Sequence, residues 1–548
     1  MSLGRTTRRV LRKLKNQISP PDSGYMDWRA LIGADRARWD EARRAATGPH
    51  VLLGTSLGLF KWEINFDSAL AVALTLRGAR VHLLVCDHQL PACSPWLRQS
   101  MPADFRPEVH TPQTTLCNGC LAPSLEVLTP LGLPVHRYGD LLRPDDSSES
   151  SDLDRLSLSE IRSLTVDGVA VGEHAVAGAI RFFACARLED EPDHLVVTRR
   201  YLKAALRTTA ATRRLLERYP FEVACGSHGI YVPQGLVFEV ARRRNVRVVN
   251  WHQAYRQRCV LFSHGDTYHK TLLHEPASDW KPEHWDDALE QQTMTYLDSR
   301  QYGKQDWISF NREPDAMSLE AVAKMGVDFA KPVIGLLTNV AWDAQLHYGA
   351  TPFEDMMTWL VETIRYFAQR PDLQLLVRIH PAEVKGYNKS RQPALAEIQR
   401  AFPTLPANVF VIPPESTIST YDTMERCNAV IIYATKTGIE LAARGVPVIV
   451  AGEAWIKNKG FALDATSRDG YFELIDRLPL AERLTAEQTR LARMYAYHFF
   501  MRRMIEIEYL DEKMRPKVSS LHRLERGADR GMDVVCDGIL SGSRFFAC

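Results

Sequence analysis

Residues 430–450 read "VIIYATKTGIELAARGVPVIV". An apolar run stops at Thr435-Lys436-Thr437-Gly438, a helix-like segment carrying Glu440 follows, and a second apolar run starts behind Gly445 and Pro447. A short apolar run bounded by turn residues has the pattern of a buried strand. The same order occurs near the start of the chain, as "HVLLGTSLG" (50–58), the amphipathic "NFDSALAVALTLRG" (65–78) and "RVHLLVCD" (80–87). A strand–helix–strand order with a dozen or more residues in the crossover implies a parallel βαβ unit.

Two α/β series follow. The first adds "LGLPVHRYGD", "FEVACGSHG", the helical "GLVFEVARRRN" and "VRVVNWHQA"; it is interrupted by an acidic, Ser-rich stretch at 144–160 and a helical stretch from Ile161 to Tyr219. Residues 270–330 read as a charged, irregular bridge. The second series runs through "KPVIGLLTNVAWDA", "FEDMMTWLVETIRYFAQ", "LQLLVRIHP", "NVFVIPP" and "STYDTMERC" into 430–450. "TAEQTRLARMYAYHFFMRRMIEIEYL" (485–510) reads as one long helix with mixed faces, followed by a loosely held end. The expected division is a basic tail (1–25), a first Rossmann-like domain (26–325) with a helical insertion near 144–219, a second Rossmann-like domain (326–485), and a C-terminal helix and tail (486–548).

Composition narrows the classes. A chain of 548 residues exceeds one core. Its 45% hydrophobic and 24% charged content is that of a soluble globular protein, and a net charge of +2 gives no argument for nucleic acid. No apolar run reaches the ~18 residues of a spanning helix. The segment "MSLGRTTRRVLRKLKN" has six Lys or Arg, no acid, and none of the apolar block of a secretory signal. It is either a disordered basic tail or a peripheral contact with the anionic inner face of a membrane. The cytoplasm is the default compartment.

Ligands of open α/β sheets sit beyond the carboxyl ends of the strands, and four strand ends in the second half carry polar groups. Asn339 and Asp343 follow one strand, as cleft residues or as loop hydrogen bonders. His380, held extended by Pro381, follows another. Ser419 caps a short helix with Asp422 three residues on. At the fourth, Thr435, Lys436 and Thr437 offer donors of the kind phosphates accept, and Gly438 would let an anion approach the chain. Glu440 would repel a phosphate but suits neutral ribose hydroxyls; Thr437 and Glu440 also stand in the T-x-x-E spacing of a capping box.

"RIHPAE", "ESTISTYD" and "YATKTGIELAARGVPVIVAGEAW" with the later "KGF" together resemble the carboxyl-terminal half of bacterial capsule and surface polysaccharide biosynthesis proteins. These are GT-B glycosyltransferases related to enzymes that use CMP-activated acidic sugars such as Kdo. The resemblance spans about residues 330–470 and is thinner over 50–260. It implies an α/β, GT-B-like fold of two Rossmann-like domains facing a cleft, with a C-terminal helix packing back. It implies a nucleotide-sugar donor, a saccharide or glycolipid acceptor, and no catalytic metal. Carried over, His380 contacts the donor phosphate, Thr435 and Thr437 flank it, and Glu440 holds the ribose. The glutamate many retaining enzymes place eight positions before the residue matching Glu440 is Ile432 here, which leaves stereochemistry open.

Sugar transfer needs a proton acceptor. Strand exits of the first half offer Glu63 and His228 as the catalytic candidates, with Asp87, His252 and Arg256 nearby, and the sequence does not choose among them. Cys86, Cys93, Cys117 and Cys120 include one C-x2-C pair and read as a structural zinc site or as four ordinary thiols. Two other functions fit the two-domain plan: a non-hydrolysing nucleotide-sugar epimerase, and a non-catalytic scaffold of a polysaccharide-synthesis complex.

Overall fold

The computed structural model of the chain describes residues 24–101, 104–106, 115–146, 153–310, 313–344 and 351–547. The basic segment 1–23 and residues 147–152 of the Ser-rich stretch lie outside the described residues. Two sheets organise the rest. The first takes β1 (His50–Gly54), β2 (Arg80–Val85), β3 (Val135–Arg137), β4 (Phe221–Ser227), β5 (Arg247–Gln253) and β6 (Cys259–His264). The second takes β7 (Val333–Leu337), β8 (Gln374–Arg378), β9 (Val409–Ile412), β10 (Ala429–Ile432), β11 (Val448–Val450) and β12 (Leu463–Asp464). The last strand, β13 (Ile505–Glu506), returns to the edge of the first sheet.

The strand orders are β13-β6-β5-β4-β1-β2-β3 and β12-β11-β10-β7-β8-β9. In each, the chain begins mid-sheet, winds to one edge, then returns to wind the other way. β7–β12 are all parallel, as are β1–β5; β6 runs antiparallel to β5, and β13 to β6. These are two doubly wound, Rossmann-like sheets, the expected fold class. Their switch points lie between β1 and β4 and between β7 and β10, where ligand crevices open. Helices cover both faces of each sheet, and the central strands of the second are buried along their whole length: every residue of β7 and of β10 is buried.

Helices Val171–Phe183 and Pro192–Arg218 pack on one face of the first sheet. Lys61–Leu76 and the C-terminal helix Arg530–Ser541 cover the other. The two halves also share a core, in which Ala254 and Leu261 join Leu337, Ile432 and Phe499. No described helix is long and apolar enough to cross a membrane.

Three expectations are corrected. The long helix over 485–510 stops at Tyr497, passes through a wide π turn from His498 to Arg502, and becomes β13. Buried His498, bonded to Glu275 at 3.0 Å, and the pairing of Ile505 with Val260 together outweigh helical continuation. The C-terminal end is not loose, because Phe545 is buried against Phe262 and stacked on His264. The 270–330 bridge holds the helices Asp287–Arg300 and Ser318–Lys324.

The returning segment docks backbone against backbone. A Cβ at Gly531 would stand 1.8 Å from the carbonyl oxygen of Glu506. Gly531→Ala is expected to cost about 1–3 kcal/mol through overpacking, read as a lowered urea midpoint.

Candidate functional site

A cavity of about 430 Å³ lies beyond the carboxyl ends of the second sheet, walled on its other side by the first half and the bridge. Thr338 and Asn339 enter from the end of β7, His380 from β8, and Thr435, Lys436 and Thr437 from β10. Ser419, Thr420 and Tyr421, with Trp342, Asp343, Tyr255, Arg300 and Asp306, also line it. The structure therefore brings Asn339, Asp343, His380, Ser419, Thr435, Lys436 and Thr437 together around one space.

The side chains come with defined donors and acceptors. Thr338 Oγ accepts the His380 amide at 2.9 Å, and His380 Nδ1 accepts the Ala382 amide at 3.1 Å. An N–H cannot accept, so the His380 proton sits on Nε2. Burial, then the nearby Lys436 and Arg378, push its pKa down to about 3, which keeps the ring neutral with one N–H to offer. Ser419 Oγ accepts the Asp422 amide at 3.2 Å, the expected helix cap. Arg378 donates to the carbonyls of Pro413 and Ser416 and holds that loop in place. Asn339 Oδ1 is buried and has no hydrogen-bond partner among the described residues.

Glu440 and Gly438 do not line the cavity. Helix Thr437–Ala442 begins without a side-chain cap, so the capping box does not form, and its six residues make a short dipole. A Cβ at Gly438 would lie 2.6 Å from Ile432 Cδ1 and 2.9 Å from Ile456 Cδ1, so this glycine serves internal packing and not the approach of an anion. Fully buried Glu440 accepts the Tyr421 hydroxyl at 2.5 Å and faces Arg300 Nε at 3.1 Å and Lys436 Nζ at 3.8 Å. Burial alone would raise its pKa; Arg300, Lys436 and Tyr421 outweigh that and hold it below the ordinary range. Arg300 pairs in turn with Asp306, which accepts the Tyr296 hydroxyl at 2.7 Å. Lys436 lies over the Tyr255 ring at 4.8 Å, and burial with the neighbouring Arg300 lowers its pKa to about 8.

The first-half candidates stand outside this cavity. Glu63 is buried at the start of its helix, accepting from Gln234 at 3.2 Å. Burial, with the Asp67 carboxylate one turn on, raises its pKa, and Asp67 itself takes Ser56 and Trp251 as donors. Asp87 accepts the Gly139 amide and ties the loop after β2 to the short helix Tyr138–Leu141. His228 packs on Tyr231 at 5.1 Å and His252 at 5.0 Å; the Tyr231 hydroxyl reaches Asp343 at 3.1 Å. Cys86, Cys93, Cys117 and Cys120 are free thiols whose pKa values burial raises. Among the described residues no three His, Cys, Asp or Glu side chains are placed to hold a metal ion.

Sequence reasoning missed Arg300, Asp306, Thr338, Tyr421 and Arg378. Thr338 and Arg378 adjoin strand-end residues already singled out. Arg300 ends the helix Asp287–Arg300 and Asp306 follows it, in a charged stretch where no local signal marks them.

No protein-family model matches the chain, and no curated protein sequence matches it. Solved structures similar to it include a β-Kdo 2,4 transferase, KpsC of Thermosulfurimonas dismutans, at 14% identity and TM-score 0.32, covering 50% of this chain and 79% of that one. The sucrose-phosphate synthase of Thermosynechococcus elongatus is 10% identical at TM-score 0.28, covering 83% of this chain and 95% of that one. The UDP-GlcNAc 2-epimerase of Methanocaldococcus jannaschii is 10% identical at TM-score 0.27, covering 82% and 99%. Likeness at this level decides neither donor nor acceptor, nor between transfer and epimerisation.

The Arg300 cluster makes a direct prediction. Glu440→Ala leaves a buried guanidinium half-compensated and is expected to cost about 3–5 kcal/mol, measured by chemical denaturation.

Proposed function

We propose that the chain is a glycosyltransferase that takes a sugar from a nucleotide-sugar donor, with a CMP-linked acidic sugar as the leading candidate, and passes it to a growing capsule or surface glycan. One observation carries this reading: neutral and cationic donors from the ends of β7, β8 and β10 converge on a single cavity at a Rossmann switch point. In the reaction an acceptor hydroxyl bonds to the anomeric carbon, the carbon–oxygen bond to phosphate breaks, and the nucleotide leaves with the electron pair. Lys436, His380 Nε2–H and the Thr435 and Thr437 hydroxyls are placed to stabilise the charge on that leaving phosphate. Asn339 Oδ1 is the acceptor we assign to a ligand hydroxyl, in place of Glu440, whose carboxylate is occupied by Arg300 and Tyr421.

The proton from the acceptor needs a carboxylate at the cavity. Asp306 pairs with Arg300; Asp343, which also lines the cavity and accepts the Tyr231 hydroxyl from the first half, is the carboxylate we assign. Asp343 therefore replaces Glu63 and His228 in our assignment of the base.

CMP, CDP or UDP is expected to raise the melting temperature, and Lys436→Ala with Thr437→Ala to abolish that rise. Affinity should fall as pH climbs through about 8, where Lys436 loses its proton; His380 stays neutral, so an inflection near pH 6–7 should be no larger than the nucleotide's own terminal phosphate produces. No shift with any of the three nucleotides at saturation would refute the donor site. Asp343→Asn should keep nucleotide binding and lose turnover on the order of 100-fold or more. Product analysis of the same reactions decides against transfer if a nucleotide sugar is converted without acceptor.

A further inference from the structure

Three histidines stand in a row across the first sheet. The strands carry them as "HVLLG" (50–54), "RVHLLV" (80–85) and "VHR" (135–137). Register pairs His50 with Arg80 and Leu84 with His136. His82 is two residues from each of those partners, so all three rings share one face and meet diagonally. His50 Nδ1 lies 3.0 Å from His82 Nε2, and His82 Nδ1 lies 2.9 Å from His136 Nε2. Arg80 closes the row, donating to His50 Nε2 at 2.9 Å and to the Thr47 carbonyl at 2.6 Å. His82, in the middle, is only 4% exposed and packs against Tyr219 and Phe221.

A guanidinium cannot accept a hydrogen bond, and this fixes the direction of the whole row. His50 Nε2 accepts from Arg80, so the His50 proton is on Nδ1 and is donated to His82 Nε2. The His82 proton is then on Nδ1 and is donated to His136 Nε2, and His136 keeps its own on Nδ1. Three neutral rings satisfy all three hydrogen bonds, and no other protonation state does. A further proton on any ring sets two N–H groups against each other at one contact. The charges around the row act in the same sense. Burial, then Arg80, lowers the His50 pKa against the opposing pull of Glu222; burial, then Arg218, lowers that of His136 against Asp140. Burial, then the two neighbouring rings, lowers that of His82 to about 4.

What the row holds is the edge of the sheet. β3 is the edge strand and pairs with β2 over only three residues. It runs straight into Tyr138, whose buried hydroxyl lies 2.9 Å from Thr55 Oγ1 at the exit of β1. We infer that the His50–His82–His136 row is a proton-operated clasp, which holds β3 and Tyr138 onto the first sheet while all three rings are neutral and opens when the row takes up a proton. It stands apart from the nucleotide cavity and gives the first half a response to mild acid. Released histidines titrate near ~6.5 and the closed row below that, so the open form binds more protons. The clasp is complete above about pH 6.5 and is lost progressively as pH falls towards about 4.

The test reads the edge strand directly, by hydrogen exchange of the segment 133–141 followed by mass spectrometry and corrected for the intrinsic pH dependence of exchange. Between pH 7.5 and 5 the protection of this segment in wild type is expected to fall on the order of tenfold to 100-fold, the effect of one proton on a released histidine. His136→Phe keeps a ring against His82 and Tyr219 but removes the clasp. Its protection should already be low at pH 7.5 and should change little with pH. Ring-¹⁵N NMR of histidine-labelled wild type at pH 7.5 should show all three rings protonated on Nδ1. Arg80→Met, at an exposed position, should admit the Nε2–H form, because nothing then fixes the direction of the row. Protection unchanged between pH 7.5 and 5, an equal pH dependence in His136→Phe, or an Nε2–H ring among the three in wild type overturns the inference. If His136→Phe does not fold, the wild-type exchange and ring spectra decide alone.

Discussion

The pairing of Arg300 with Asp306 and Glu440 is the constraint on which the cavity depends. All three side chains are buried, at 4%, 5% and 0% exposure, so none could be dehydrated without the others. Two carboxylates around one guanidinium leave an excess negative charge, and Lys436 balances it. Of the four, Lys436 is the most exposed, at 22%, and holds Glu440 at ion-pair rather than hydrogen-bond distance. The cluster thus fixes the helix that follows β10 against the bridge while leaving one ammonium turned to the cavity.

This arrangement explains why a structural cluster and a binding wall occupy adjacent positions in one short segment. Thr435 and Lys436 line the cavity, whereas Gly438 and Glu440 are buried away from it, Glu440 reaching back only to the Lys436 ammonium. Removing Glu440 would disturb the position of Lys436 as well as the fold. The Tyr231 hydroxyl of the first half donates to Asp343 and accepts the Ala344 amide, so two hydrogen bonds join the halves beside the cavity.

Much of this was legible in the sequence because it is local. Apolar runs ending in polar residues placed Asn339, Asp343, His380, Ser419 and Thr435–Thr437 at strand exits, and in doubly wound sheets strand exits converge. The roles of Gly438 and Glu440 were not legible. Both depend on neighbours distant in sequence: Ile456 for the glycine, Arg300 and Tyr421 for the carboxylate. The spacing T-x-x-E is equally compatible with a cap, a ligand contact or a buried ion pair, and only the third dimension separates them. The end of the long helix at Tyr497 was hidden for a similar reason. Its continuation as β13 is decided by the unpaired edge of β6.

The most direct measurement is a crystal structure of the protein with bound CMP or UDP. The account predicts the phosphate within hydrogen-bonding distance of Lys436 Nζ, His380 Nε2 and the Thr435 or Thr437 hydroxyl, with Glu440 still closed on Arg300. A nucleotide seated instead at the first sheet's switch point, beside Ser56 and Ser227, would contradict it.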